Sequence, residues 1–294
     1  MNETQENSLL AFDEAIKVEY KGNLEGIHLY SGYCNKDWRI GLVQHGGYLI
    51  SIILNAFTHH FKNVHPHPLH ISAHFLNKSM SGPCMIEIND IKPGKNHSIA
   101  YAIFKQPKND DIEEGYIEKI HVTALFGDLN KEGGITQPYF DVIPISNKSD
   151  CELFEPNRTI STMDNHIKVL LDTPTKNLKR AEIKQWAKFS DKRRKLDLIS
   201  LGLFSDLFFP GPPGHIDKEV LKGDFWYPTL TLEIQFKNIP KGQWVVSSFR
   251  SRFLQNGRNE VDGELWDEDG NLLCITRHMC LVTSWEKNVG YNKL

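Results

Sequence analysis

Apolar residues recur along this chain with two different periods, and the change of period separates helices from strands. Over residues 48–60 they fall at i, i+3, i+4, i+7 and i+8, which is one stripe of an amphipathic helix. That stripe consists of Leu49, Ile52, Ile53, Ala56 and Phe57. Shorter stretches rich in alternating apolar residues follow and predict strands at 69–75, 82–91, 98–106 and 116–126. Because consecutive strands with short turns pair antiparallel, an α+β arrangement is expected.

The same order returns in the second half of the chain. An extended stretch at 181–190 precedes an apolar helix predicted over 194–209, which Pro210 and Gly211 end. Strands are then predicted at 229–238, 244–252, 259–268 and 272–282. Between the halves, Gly, Pro, Asn and Asp become frequent, so this region is predicted to be a linker. A short element is expected inside it at 166–172.

The two halves also resemble each other in sequence. LHISAHFLN at 69–77 and LTLEIQFKN at 230–238 share Leu, Phe and Asn at the same offset, and each is followed by a Gly, a strand and a polar turn. A duplication explains this order. We therefore predict a double hotdog, with two antiparallel sheets each wrapped around a central helix. Its parts would be an N-terminal hotdog domain (1–135), a linker (136–180) and a C-terminal hotdog domain (181–294).

Composition and charge restrict the classes of function. The 294 residues leave room for two domains, and a net charge of -3 with 40% hydrophobic and 24% charged residues is typical of a soluble globular protein. Nothing in this balance indicates a nucleic-acid partner. No apolar run approaches the roughly 20 residues of a membrane span, and the first residues lack a signal-peptide pattern. We expect a cytoplasmic protein, with the peroxisome as an alternative because 292–294 (Asn-Lys-Leu) differ from Ser-Lys-Leu only in the first place.

A single carboxylate in the second helix stands out. Asp206 follows LISLGLFS and precedes LFF, and an ionised carboxylate among apolar side chains is costly unless it is hydrogen-bonded or beside water. It is either an acid that hydrogen-bonds backbone near a helix end or a working group in a site. The first helix offers no equivalent, because Ala56 or Phe57 stands at the matching position and neither can act as a base. One active site per chain is expected, built mainly from the second half.

Several stretches together resemble the acyl-CoA thioesterase II type within the thioesterase-like superfamily. They are QHGG at 44–47, LHISAHFL, the Asp206 helix, TLTLEIQF and GELWDEDGNLLCITRHMCLV at 263–282. The resemblance implies hydrolysis of acyl-CoA thioesters by a water molecule that an Asp, a Thr and a Gln hold. Asp206 matches the Asp and Thr229 matches the Thr. The Gln position holds His278, which departs from the family's pattern. No cofactor is implied.

His278 leaves three possibilities open. A neutral imidazole can donate one hydrogen bond as an amide does, but it also accepts and titrates near neutrality. It would support hydrolysis, take over as the base, or mark a chain that has lost activity and only binds acyl-CoA or lipid. A hotdog hydratase acting on enoyl-CoA is the other enzyme class, but the Asp-x-Asn-x-x-His pattern common in such enzymes is absent from the sequence.

The segment before the first helix supplies the candidate substrate-binding residues His45, Gly46 and Gly47. Free N–H groups at a helix start could polarise the thioester carbonyl, or the glycines could serve only close backbone packing. The histidines at 59, 60, 65, 67 and 70 are dense but irregularly spaced, with no accompanying carboxylate or Cys pattern, so no metal site is expected. The basic run at 192–195 could meet CoA phosphates or form a solvated helix start. Homodimer formation is compatible with the fold.

Overall fold

The first half of the chain forms the two predicted kinds of element with slightly wider bounds. The computed structural model describes residues 11–109, 111–139, 145–155, 161–172, 181–208 and 225–289. The elements of the first half are α1 (Ala11–Ala15), β1 (Val18–Leu24), β2 (Ile27–Cys34), β3 (Arg39–Ile40), β4 (Val43–Gln44), α2 (Gly46–Phe61), β5 (His67–Phe75), β6 (Gly82–Lys92), β7 (Ser98–Lys108) and β8 (Asp111–Gly127). Helix α2 and the four strands after it confirm the predicted order.

The second half repeats this order. Its elements are β9 (Glu152–Leu153), β10 (Ile167–Leu171), β11 (Glu182–Phe189), α3 (Leu198–Ser205), β12 (Phe225–Trp226), β13 (Thr229–Phe236), β14 (Val245–Arg250), β15 (Leu254–Gln255), β16 (Arg258–Asp267), β17 (Leu272–Leu281), β18 (Thr283–Ser284) and α4 (Glu286–Val289). Short 3-10 turns lie at Lys148–Asp150 and Met163–Asn165. The helices of the described segments include none with the length and apolar character that a membrane span requires.

Fourteen of the described strands, from both halves, join in one antiparallel sheet. Its order is β1-β2-β6-β7-β8-β5-β13-β17-β16-β14-β11-β10-β9, with β15 added beside β16. Strands β3 and β4 form a separate pair, and so do β12 and β18. The double hotdog and its α+β class are thus confirmed, with one refinement. The two sheets that the sequence predicts are continuous through the pair β5 and β13. Strands β9 and β10 both lie within the segment predicted as a linker, yet they belong to this sheet: β10 pairs with β11, and β9 pairs with β10.

The junction of the halves has the register of a pseudo-two-fold axis. Strands β5 and β13 contain the two stretches that match in sequence, and they pair antiparallel with Ile71 opposite Ile234 and Ala73 opposite Leu232. The sequence match places Ile71 on Leu232 and Ala73 on Ile234, so exchanging the halves converts one pair into the other. All four side chains are buried. The repeat therefore also describes how the two halves meet.

The two helices lie against each other beneath the sheet. Helix α2 buries the predicted stripe, but Ile50 and Leu54 on its other side are also buried. A β-carbon built on Gly202 of α3 would lie 3.0 Å from Leu54 Cδ1 and 3.2 Å from Ile50 Cγ2. The hydroxyl of Ser51 donates to the carbonyl of Ile199 at 2.9 Å. The second apolar face of α2 is therefore covered by α3, and this is why the helix is apolar on more than one side.

Helix α3 is shorter than the sequence predicts. It begins at Leu198 because Asp197 and Ser200 form a reciprocal capping box, in which each side chain accepts from the other residue's backbone N–H. It ends at Ser205, and Asp206 is the C-cap with φ -111° and ψ 12°. The prediction of a helix over 194–209 with Asp206 inside it was wrong by about one turn at each end. Pro210 and Gly211 lie outside the described residues.

Candidate active site

Asp206 lies where the end of α3 meets the beginning of α2. Its side chain is 8% exposed. Carboxylate oxygen Oδ2 accepts a hydrogen bond from the backbone N–H of Gly47 at 2.8 Å. This N–H belongs to the first turn of α2, where the helix itself offers no acceptor, and the positive end of the helix dipole favours a negative charge there. The Asp206 carboxylate of the second half thus accepts from an N–H at the start of α2 in the first half and balances the partial positive charge there.

Thr229 and His278 approach the other carboxylate oxygen. The hydroxyl of Thr229, at the first position of β13, donates to Asp206 Oδ1 at 3.4 Å. Nitrogen Nε2 of His278 on β17 lies 3.3 Å from the same oxygen. Adjacent pairing of β13 and β17 brings the two side chains to one place in the sheet. The three residues that the sequence selects for one site therefore meet around a single oxygen atom.

The ring of His278 is closed off from solvent, with 1% of the residue exposed. Phe208 packs edge-on against it, with ring centroids 5.2 Å apart and planes at 90°. Neither ring nitrogen has an aligned hydrogen-bond partner among the described residues, although Nε2 is within ion-pair distance of Asp206. Buried polar atoms are rarely left without a partner. The site therefore has unused hydrogen-bonding capacity next to the carboxylate.

The surroundings of Asp206 keep it ionised. Burial by itself raises the pKa of its carboxyl, but the imidazoles of His278 and His45 and the N–H of Gly47 act in the opposite direction and prevail. The pKa of Asp206 consequently lies below its ordinary value of 3.8. At neutral pH the group is a carboxylate that can accept hydrogen bonds or a proton.

His45 lies behind the carboxylate and is 3% exposed. Its Nδ1 accepts from the N–H of Tyr48 at 3.3 Å, as an N-cap of α2, so that the proton resides on Nε2. Nε2 lies 3.1 Å from the backbone oxygen of Asp206 and 3.8 Å from its Oδ2. Burial lowers the pKa of His45, and the charge of Asp206 only partly opposes this. His45 is therefore a neutral link between the two helix ends.

Gly46 and Gly47 allow the close approach that the site requires. A β-carbon on Gly46 would lie 2.6 Å from Asp206 Oδ2. One on Gly47 would lie 2.6 Å from the carbonyl oxygen of Gly202 and 2.7 Å from that of Leu203. Both positions exclude a side chain, which supports the packing interpretation of these glycines. The Gly47 N–H is engaged by Asp206, whereas Gly46 is half-buried at the helix start.

Two further side chains belong to this site and were not predicted. Phe208 covers the ring of His278, and Cys280 Sγ lies 3.8 Å from Thr229 Oγ1. Burial raises the pKa of Cys280 to about 12, with the nearby charge of Asp206 adding to the effect, so the thiol is protonated. The alternation of β17 places Cys280 on the same face as His278 and could have identified it. No sequence pattern identifies Phe208 as part of the site, because only the path of the chain after α3 places its ring against His278.

The basic run at 192–195, just before α3, contains one buried residue, Arg194, whereas Lys192, Arg193 and Lys195 are exposed. Arg194 has a side chain only 8% exposed, and its guanidinium pairs with Asp13 at 2.9 Å and with Asp197 at 2.7 Å. Arg193 pairs with Asp191 at 2.8 Å. These contacts connect α1, the preceding turn and the cap of α3. Their partners are carboxylates of the chain itself, which favours a role in forming the helix start.

Comparison with known proteins gives the same family for both halves. The profile of the acyl-CoA thioesterase N-terminal domain matches residues 35–127, and that of the acyl-CoA thioesterase C-terminal domain matches residues 153–282. Between them the two matched segments contain every candidate site residue. The chain belongs to the acyl-CoA thioesterase family.

Individual proteins similar to this chain share little sequence identity with it. The thioesterase-like protein TwmA of Talaromyces wortmannii is 21% identical, over 95% of this chain and 94% of its own length. A hotdog-fold protein of unknown function from Alicyclobacillus acidocaldarius superposes with a TM-score of 0.78 at 18% identity, covering 94% and 99% of the two chains. Acyl-CoA thioesterase II TesB2 of Mycobacterium marinum gives 0.69 at 14%, covering 93% and 98%. These structural matches support the double hotdog.

Proposed function

We propose that this member of the acyl-CoA thioesterase family hydrolyses acyl-CoA thioesters with a water molecule that Asp206 activates. The observation that carries the proposal is the convergence of Thr229 Oγ1 and His278 Nε2 on Asp206 Oδ1, at 3.4 and 3.3 Å. The three groups come from a helix end and two strands that are distant in sequence. A base with adjacent hydrogen-bonding groups is what deprotonation and orientation of a water molecule require.

Each residue has a distinct part in this proposal. Asp206 accepts the proton of the water, since it is ionised at neutral pH. Thr229 and His278 hold the water through their hydrogen-bonding atoms. Because Gly47 already donates to Asp206, its N–H fixes the carboxylate, and the N–H of Gly46 is the candidate donor to the thioester carbonyl. The positive end of α2 would stabilise the negative charge that develops on that oxygen.

His278 allows a second role within hydrolysis and also a second candidate function. Within hydrolysis, an imidazole next to a carboxylate can serve as the base itself, with Asp206 orienting it. In a chain without activity, the same buried pair would be a remnant in a protein that binds acyl-CoA or lipid. The departure from the family's Gln at position 278 supports the binding protein as the second candidate function. The contacts of Asp206 with Gly47 and Thr229 support hydrolysis, because they keep the carboxylate oriented.

The decisive experiment measures thiol release from acyl-CoAs of several chain lengths by the native chain and by Asp206→Asn. The amide has the same shape and can still accept from Gly47, but it is not a base. We expect the rate constant to fall by about 10²- to 10⁴-fold. Asp269→Asn is the matched control, because Asp269 is exposed and follows β16. Its rate should equal the native rate.

Two outcomes would contradict the proposal. A native rate in a folded Asp206→Asn protein would remove Asp206 from the chemistry. Absence of thiol release at every chain length, together with measurable acyl-CoA binding, would show that the chain binds acyl-CoA without hydrolysing it. His278→Gln then distinguishes the two roles of the imidazole: a rate that is kept or raised indicates a hydrogen-bonding role, and a loss as large as that of Asp206→Asn indicates that His278 is the base. The cytoplasmic location and homodimer formation stay predictions of the sequence.

A further inference from the structure

Two imidazoles and a carboxylate meet on the surface of the first half, at the end of α2 opposite to the active site. They are His28 of β2, His60 in the last turn of α2 and Asp90 of β6. Each offers one ligand atom, and these atoms all lie within 4.8 Å of one another. Nε2 of His60 is 2.9 Å from Asp90 Oδ1, and the rings of His28 and His60 have centroids 4.5 Å apart.

We propose that His28, His60 and Asp90 form a binding site for a divalent transition-metal ion of the zinc class. Imidazole nitrogen and carboxylate oxygen are ligands that Zn²⁺ accepts together, at about 2.0–2.2 Å each. Ligand atoms around a tetrahedral ion at those lengths are about 3.3 Å apart. The present separations are close enough that side-chain rotation can reach this spacing. Mg²⁺ and Ca²⁺ prefer all-oxygen ligands and fit the set poorly.

The hydrogen bonds around His28 hold its ring in one tautomer and one orientation. The amide Nδ2 of Asn23 can only donate, and it lies 3.0 Å from Nε2 of His28. Nε2 is therefore the unprotonated nitrogen, and the proton on Nδ1 faces the hydroxyl of Tyr20 at 3.3 Å. An ion that binds His28 through Nε2 replaces the hydrogen bond from Asn23, whereas Nδ1–H keeps its contact with Tyr20. Partners of this kind fix the tautomer and orientation of metal-binding histidines.

The exposure of the three side chains suits a site that an ion reaches from solvent. His60 is largely covered, with 7% of its side chain exposed, whereas Asp90 is 40% exposed. An ion bound between them would keep at least one position for water. It would also tie strands β2 and β6 to the end of α2. Because 14 residues separate Gly46 from His60 at about 1.5 Å each, the site lies about 20 Å along the helix from Asp206.

The test uses the full chain without an affinity tag, stripped with a chelator and titrated with ZnCl₂ in a calorimeter. One equivalent should bind the native chain, and Asp90→Asn and His28→Gln should each weaken binding at least about tenfold. Asn at 90 can still accept from His60, so this variant removes the charge with little change in packing. With CoCl₂, the native chain should show visible absorption of a tetrahedral ion, and MgCl₂ should not bind.

His97→Gln is the matched control. His97 also stands beside a carboxylate, with Nε2 3.9 Å from Glu132 Oε1, but it is half exposed and without a second imidazole in its group. Its zinc affinity should equal that of the native chain. Equal affinity in all four proteins would show an adventitious ion only, and absence of binding to the native chain would overturn the site directly. Neither result depends on thioester hydrolysis, so the proposed function is tested separately.

Discussion

The two central helices descend from one repeated pattern but end up with opposite contributions to the site. Helix α2 has 16 residues and begins with two glycines, and its N-cap is the ring of His45. Helix α3 has 8 residues, begins with a carboxylate capping box and has Asp206 as its C-cap. The start of α2 supplies hydrogen-bond donors, and the end of α3 supplies the acceptor. The difference shows that the site is a product of helix contact, and neither half contains it alone.

The glycines of the two helices differ in what surrounds them. A side chain on Gly47 would meet backbone carbonyl oxygens of α3, whereas one on Gly202 would meet Ser51 Oγ at 2.9 Å and the methyl ends of Leu54 and Ile50. Backbone atoms cannot move away without shifting the helix, but side-chain ends can turn. The helix contact should therefore tolerate change from the α3 side better than from the α2 side.

The largest effect is expected for Gly47→Ala. The added methyl would force α2 and α3 apart and separate Asp206 from the Gly47 N–H, so the free energy of unfolding should fall by about 3 kcal/mol. Thiol release should be lost as well. Urea unfolding and the acyl-CoA assay measure the two consequences.

Gly133→Ala is the control for this substitution. Gly133 is exposed and a β-carbon there would meet no atom within 4 Å. Its stability should stay within about 0.5 kcal/mol of the native value. A Gly47→Ala protein as stable as this control would show that the helices are not in the close contact described.

A smaller effect is expected for Gly202→Ala. Loss of the Ser51 hydrogen bond is partly offset by the better helix propensity of alanine, so the net cost should be about 1 kcal/mol or less. In a Ser51→Ala background the hydroxyl is gone, and the same substitution should cost less still. A double-mutant cycle by urea unfolding measures this coupling, for which we expect about 0.5 kcal/mol or more. Strict additivity would contradict the contact between these residues.

The smallest effect concerns the pH dependence of stability at the link between the helices. Because the pKa of His45 is lowered in the folded state, the folded chain binds fewer protons than the unfolded chain. The stability that this difference contributes is present above about pH 6.5 and is lost as the pH falls below it. Asp206 also has a lowered pKa, but its contribution is lost only below about pH 4. Between pH 7 and pH 5, His45 therefore dominates within this pair.

His45→Asn tests this dependence, because Asn is a good N-cap and does not titrate. Unfolding of the native chain and the variant in urea at pH 7, 6 and 5 gives the two slopes. The stability of the variant should fall less steeply with decreasing pH. Equal slopes would show that His45 titrates in the folded state as it does in the unfolded chain.

Much of the architecture could be predicted from local patterns. Alternation identified the strands after each helix, and the match of 69–77 with 230–238 indicated the repeat that became the sheet junction. The resemblance of the sequence to a known family selected Asp206, Thr229 and His278, which the fold then brings together. Helix bounds were less accurate for α3, because its start depends on Asp197 pairing with Ser200, a contact that a hydrophobic pattern does not contain.

The sequence by itself determined the kinds of element, their repeated order and the presence of one carboxylate in an apolar setting, since these follow from local periodicity and residue type. Only the tertiary structure decided that Asp206 would accept from Gly47, that α3 would cover the second face of α2, and that His28, His60 and Asp90 would meet. Such contacts join residues that lie from about 30 to 160 positions apart, and their pairing depends on strand order and helix packing. A pattern read along one segment carries no information about the segment that will face it.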